Sequence, residues 1–278
     1  MTSTTFGARF REALETRGPL CVGIDPHPGL LGDWGLDDTV EGLEKFALTA
    51  VEAVAGEVSL LKPQSAFYER FGSRGIAVLE RVISDARAAG ALVLLDVKRG
   101  DIGSTSQAYA DAYLDQSSPL AVDAITASPY LGFGSVSPMI ETALRNDAGV
   151  FVLALTSNKE APEVQHALVE GGRSVAGTVL DHLAALNQGA EPLGSIGAVV
   201  GATIGETGES FDFNGPILVP GVGAQGGTVD DVRRIFGAAA RNVTPSSSRG
   251  LLAAGPSVSA FRDACRRAND EFRVLAGA

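Results

Sequence analysis

The chain has 278 residues, 45% hydrophobic and 20% charged, with 33 Asp and Glu against 22 Lys and Arg for a net charge of −11. This composition excludes a disordered chain and leaves ample length for a buried core. The acidic balance argues against nucleic acid or an anionic membrane as main partner, since both want a basic face, but a local cationic pocket can still hold a small anion.

Residues 3–17 form an amphipathic segment that predicts a helix lying over the domain, and residues 1–20 lack the apolar run of a signal peptide. No stretch approaches the ~18 apolar residues that span a bilayer, so a cytoplasmic protein is expected. Short apolar runs then recur at even spacing: Leu20–Ile24, Val58–Leu61, Ala91–Leu95, Ala121–Ile125, Val150–Leu155, Ile196–Val200, Ile217–Val219 and a weaker one around Val243. Their length and near-continuous apolarity predict parallel strands covered on both faces. Helical periodicity fills the gaps, as in Val40, Leu43, Ala47, Ala50, Val51 and Val54, or Val258, Phe261, Cys265, Ala268, Phe272 and Leu275. Strand then helix, eight times over, predicts an α/β fold, a single (β/α)8 TIM barrel domain over residues 1–278 with an extra N-terminal helix. A doubly wound open sheet is the alternative. Between Ser157 and Ser195 the spacing predicts one helix plus an insertion. Cys21 and Cys265 stand far apart, in no metal-ligand spacing, and read as buried apolar residues.

Catalytic groups of such barrels come from the carboxyl ends of the strands. There the runs terminate in charges: Asp25 after the first, Lys62 after the second, and Asp96 and Lys98 after the third. Asp96 and Lys98 are two apart and so face the barrel axis together, while Arg99 faces away and Gly100 turns the chain toward Asp101. At ~4 Å and an effective dielectric near 20, each carboxylate favours a charged Lys98 by ~4 kcal/mol before desolvation. Lys98 is therefore expected to donate a proton rather than act as an amine nucleophile. The alternative is an ion-pair network that merely closes the barrel mouth. After the seventh run, Pro220–Gly227 places four glycines within seven residues, where backbone N–H groups approach an anion closely. Thr228 then reads as a helix cap, and Arg249 in Ser246–Gly250 is placed to fork onto phosphate oxygens. His27, His166 and His182 show no ligand spacing, no metal site is expected, and the DPHPGLLGDW stretch with Trp34 reads as a packed loop over the mouth.

The stretch from Asp96 to Thr105 matches D-x-K-x-x-D-I-x-x-T in full, and here the sequence resembles the orotidine 5′-phosphate decarboxylase family. The likeness extends to Asp25 in GID, Lys62 in LKPQSAFYE and PGVGAQGG at Pro220–Gly227, and is closest to the longer bacterial subgroup seen in actinobacteria. It departs at strand eight, where Ser248 rather than glycine precedes Arg249. The resemblance implies a cofactor-free homodimer that converts orotidine 5′-monophosphate to uridine 5′-monophosphate. By position, Lys98 protonates C6, Asp96 lies against the departing carboxylate, and Asp101 and Thr105 serve the neighbouring subunit's site. Asp25 and Lys62 then bind ribose hydroxyls, Gln225 and Arg249 the phosphate, and Ser157 the pyrimidine, with Pro220 a further substrate-binding residue. Two rivals stand beside this reading. One is a magnesium-dependent sugar-phosphate lyase of the same superfamily, such as those resembling 3-keto-L-gulonate 6-phosphate decarboxylase, which place an acid where Lys62 stands. The other is a nucleotide-binding barrel without catalysis.

Overall fold

Every apolar run becomes a strand in a computed structural model, which describes residues 4–223 and 226–275. The strands are β1 (Cys21–Ile24), β2 (Leu60–Pro63), β3 (Leu92–Arg99), β4 (Ala124–Ala127), β5 (Gly149–Leu155), β6 (Ile196–Val200), β7 (Ile217–Pro220) and β8 (Val243–Ser247). They pair in chain order, all parallel, and β8 closes onto β1 with Cys21 opposite Ser246 and Val22 opposite Ser247. Closure removes the open-sheet alternative. Several strands shift from the apolar runs that foretold them, β2 to Leu60–Pro63 among them, and two further shifts stand out. β4 starts at Ala124 because the Ala121 and Val122 amides bond to Ser118 and Tyr113 carbonyls instead of to β3. β3 runs on through its charged end, reaching Arg99 opposite Ala127 after a register shift.

Side chains alternate between two apolar layers, as the period of two along a strand requires. One set, including Val22, Leu61, Val93 and Val150, faces the surrounding helices. The other, including Cys21, Leu60, Leu94, Phe151 and Leu218, fills the barrel. The helices Val40–Val54 and Val258–Phe272 bury the stripes expected of them, among them Leu43, Ala47 and Val51 on the first and Phe261 and Cys265 on the second. Cys21 and Cys265 are buried free thiols, and burial pushes each up to about 12. Both are poor nucleophiles.

The N-terminal helix Phe6–Arg17 closes the end of the barrel where the strands begin. Phe6 and Phe10 are fully buried against each other and the Phe151 ring, with centroids 5.9 to 6.3 Å apart. Full burial of each phenyl contributes about 2–3 kcal/mol. A Cβ on Gly149 would lie 2.4 Å from the Phe6 ring, so β5 must begin with glycine for this plug to seat. Arg9 fastens it to Asp123 at 2.6 Å.

The stretch expected as a loop around Trp34 is instead a short helix, Pro28–Asp33, with His27 as its cap and proline at its first position. Trp34 is buried against Phe46 and Phe261, and its indole N–H donates to the Leu252 carbonyl at 2.8 Å. Between β5 and β6 lie a four-residue helix, Pro162–Gln165, an antiparallel bridge from Leu168 to Ser174, and the helix Val175–Leu186.

Candidate active site

The period of two that fills the barrel with Leu60, Leu94, Ala124 and Leu218 also turns the next inward position of each strand toward the axis, and there stand Lys62, Asp96, Thr126 and Pro220. These four, with Asp25, Lys98, Ser157 and Arg249, line one cavity of about 370 Å³ at the carboxyl ends of the strands. A larger groove of about 500 Å³ adjoins it and shares Leu153 and Asn158, but it lacks the converging charges.

Asp96 is the hub. Its Oδ1 accepts from Lys98 Nζ at 2.6 Å and from the Thr126 hydroxyl at 2.8 Å, while Oδ2 accepts from Lys62 Nζ at 3.3 Å. Burial works against its charge, but the two ammonium groups and these bonds outweigh it and hold the carboxyl below its ordinary value. Burial likewise opposes the Lys62 charge, and Asp25 and Asp96 overcome it, so that lysine is held above its ordinary value. The two lysines differ in access. The Lys62 side chain is 8% exposed, that of Lys98 45%, so Lys98 is the more open of the two to the cavity.

Lys98 gets there through its backbone. Its φ is +44°, in the left-handed region, which costs an ordinary residue roughly 1 kcal/mol or more. The Lys98 N–H donates to Thr126 Oγ1 at 2.9 Å, and that same hydroxyl donates on to Asp96. Thr126, 1% exposed on β4, thus holds both the unusual backbone and the carboxylate beneath it. Sequence reasoning missed it, although it stands two residues beyond the inward-facing Ala124. Arg99 turns outward as expected, donating to Glu69 at 2.6 Å. Gly100 serves differently from its expected role as a turn: its φ is not in the left-handed region, but a Cβ there would sit 2.2 Å from the Ser128 carbonyl oxygen. Glycine lets β3 run close past the end of β4.

Asp101 and Thr105 are not among the residues lining this cavity. Asp101 accepts from the Ile102 N–H at 2.7 Å, Thr105 is exposed in the first turns of the helix Gly103–Leu114, and Ile102 between them is 63% exposed. Across the mouth, the turn after β7 is closed by backbone bonds, Gly223 N–H to Gly227 and Gly226 N–H to Gly223, both 2.9 Å. Gly221, Gly223 and Gly226 all have φ between 72° and 91°. Gln225 lies outside the described residues. Thr228 and Asp231 cap the next helix reciprocally, and the Thr228 bonds help hold Asp231 at about 2. Arg249 is exposed at the start of a short helix after β8. Two buried oxygens in this ring, Asp25 Oδ1 and Ser248 Oγ, have no hydrogen-bond partner among the described residues. Gly23 makes room between them, since a Cβ there would lie 2.7 Å from Ser248 Cβ. His27 caps a helix and His182 stacks on Phe133; neither lines this cavity.

Residues 18–264 match the model of a family described as orotidine 5′-phosphate decarboxylase / HUMPS. The chain is 70% identical over 272 residues to the orotidine 5′-phosphate decarboxylase of a Nocardioides species, covering 96% of this chain and 98% of that one. It is 60% identical to the same enzyme of Streptomyces coelicolor, covering 97% of each. A crystallised Streptomyces avermitilis chain assigned as orotidine 5′-phosphate decarboxylase superposes with a TM-score of 0.97 at 59% identity, over 100% of this chain and 98% of that one. The orotidine monophosphate decarboxylase of Leishmania donovani superposes at 0.78 with 30% identity, over 99% and 100%.

Proposed function

The chain belongs to the orotidine 5′-phosphate decarboxylase / HUMPS family, and from that premise we propose how it converts orotidine 5′-monophosphate to uridine 5′-monophosphate and carbon dioxide. The enzyme is a carboxy-lyase catalysing the last step of UMP synthesis. Breaking the bond from C6 to the carboxylate leaves an electron pair in an in-plane orbital that no neighbouring carbonyl delocalises, so the barrier is electrostatic. An ammonium held at C6 stabilises the growing charge and then gives its proton to carbon, while carbon dioxide departs and solvent reprotonates the amine. Lys98 is that group. The observation that carries this is its accessible Nζ, 2.6 Å from an Asp96 oxygen that Thr126 also holds, with Lys62 on the other oxygen.

Asp96 lies beside the departing carboxylate and disfavours it in the ground state. Asp25 and Lys62 meet the ribose hydroxyls; Asp25 Oδ1 has no hydrogen-bond partner among the described residues. Pro220 lines the substrate cavity, and Gln225 and Arg249 take the phosphate, whose binding energy is available to draw the turn after β7 over the substrate. Ser157 meets the pyrimidine edge. Asp101 and Thr105, outside the cavity and beside an exposed Ile102, complete the site of a second copy in a two-fold dimer. Both nucleotides are water-soluble, and among the described residues no helix is long and apolar enough to cross a membrane; a cytoplasmic location fits the pathway.

The test is the ultraviolet absorbance change of orotidine 5′-monophosphate with purified protein in excess EDTA. Rapid loss with uridine 5′-monophosphate as product is expected. Turnover only when magnesium is restored would overturn the metal-free mechanism. For the shared site, mixing Lys98→Ala and Asp101→Ala chains should restore one complete site per mixed dimer; no recovery after proven exchange of subunits would place Asp101 elsewhere.

A further inference from the structure

β5 loses its sheet partner at Thr156. The last pairing with β6 joins Leu155 to Val200, and the Leu155 carbonyl is taken by the Gly201 N–H at 2.9 Å. What replaces the partner is a single side chain from the segment between β5 and β6. The Gln165 amide oxygen accepts the Thr156 N–H at 2.8 Å, and its amide nitrogen donates to Thr156 Oγ1 at 2.7 Å. The orientation is forced, because a backbone N–H can only donate. Thr156 Oγ1 passes its own proton to Asn158 Oδ1 at 2.6 Å, and Asn158 donates to Glu160 at 3.0 Å. Thr156, Ser157 and Asn158 all line the catalytic cavity. Gln165 does not.

We infer that Gln165 is a positioning residue for base recognition: it acts as a one-residue strand partner that fixes the Thr156–Ser157–Asn158 turn at the pyrimidine edge. The inference rests on the proposed function, in which this turn meets the base. It gives the segment between β5 and β6 a role in the reaction, since how strictly the site reads a base then depends on an amide carried outside the barrel. Both ends of one amide are spent on one residue, so loss of the side chain frees the turn without touching the charge network at Asp96 or the phosphate end.

The experiment compares uridine 5′-monophosphate, cytidine 5′-monophosphate and ribose 5-phosphate as competitive inhibitors of decarboxylation by wild type, Gln165→Leu and Gln165→Glu, with melting midpoints recorded. Gln165→Leu should weaken the uridine nucleotide roughly tenfold, narrow its margin over the cytidine nucleotide, and leave ribose 5-phosphate within about twofold. Gln165→Glu keeps an acceptor for the Thr156 N–H but can hold the Thr156 hydroxyl only by taking the one proton it gives Asn158, so it should fall between wild type and Gln165→Leu. Equal weakening of all three inhibitors by Gln165→Leu would reduce the residue to a general structural support and overturn the inference. So would no weakening of any. Ser157→Ala separates the two readings: if it weakens the uridine nucleotide and Gln165→Leu does not, only the role of Gln165 falls. If Ser157→Ala changes nothing, the turn does not read the base and both fall.

Discussion

On one side of the barrel mouth, Lys62, Asp96, Lys98 and Thr126 are tied to one another by side-chain bonds of 2.6 to 3.3 Å, on strands that run into the core. On the other side, the turn after β7 is shaped by its own backbone and by glycines with positive φ, and Arg249 stands exposed beside it. The difference reflects what each side must do. Charge that develops at one carbon needs partners already in place, because moving them during the reaction costs what they would contribute. In the proposed function a phosphate is met instead by N–H groups and one guanidinium, and a glycine-rich turn lets backbone come close to it. In the proposed function, rigidity is thus placed where bonds break, and adaptability where binding energy is collected.

The comparison breaks most sharply at Lys98. Lys98→Ala should lower kcat by at least ~10³-fold while the protein still binds product, since Asp96 keeps Lys62 and Thr126 as partners; kcat and a binding isotherm for uridine 5′-monophosphate decide it. Arg249→Ala belongs to the other half and should act on binding, raising KM roughly 30- to 100-fold for the loss of a charge-assisted contact. Orotidine, lacking the phosphate, should be turned over no worse by that variant than by wild type, and a selective loss with orotidine would move Arg249 away from the phosphate. Thr126→Val keeps the shape and removes the hydroxyl; kcat should fall roughly tenfold with KM within about threefold, and Thr126→Ser should recover most of it. If serine fails to recover activity, the methyl group rather than the hydroxyl matters.

The smallest effect is with pH. The folded-state value of Asp96 lies below its ordinary one, so its stabilising share is full above the unfolded value of ~3.9 and is lost as pH falls through the folded value. A melting midpoint flat from neutral pH down to about 5 and falling below about 4 should therefore be shallower at the acid end in Asp96→Asn. Identical acid limbs would mean other carboxylates dominate.

Much of this was readable from the chain. Asp25, Lys62 and Asp96 each come directly after an apolar run, and a charge that closes a buried strand can only face a cavity or a partner. Thr126 closes its strand just as they do, yet threonine is common in strands and carries no charge, so nothing in the sequence set it apart. The left-handed backbone of Lys98 is invisible in sequence because it is imposed by a bond from β4, a contact between residues 28 apart. The Trp34 region shows the opposite failure: its prolines and glycines signal a loop, but proline at a first helical turn is welcome, and burial of Trp34 against Phe46 and Phe261 fixes the short helix. Gln165 lay in a segment whose length alone drew attention.

The phenylalanine plug shuts the floor of the barrel, so the proposed site has its entrance at the mouth. With Phe6, Phe10 and Phe151 sealing the floor, nothing passes straight through the barrel. If the turn after β7 closes over the substrate as proposed, each turnover also requires the entrance to reopen. Once the chemical step is fast, the traffic through that entrance, rather than the bond cleavage, becomes the candidate pacemaker of the cycle.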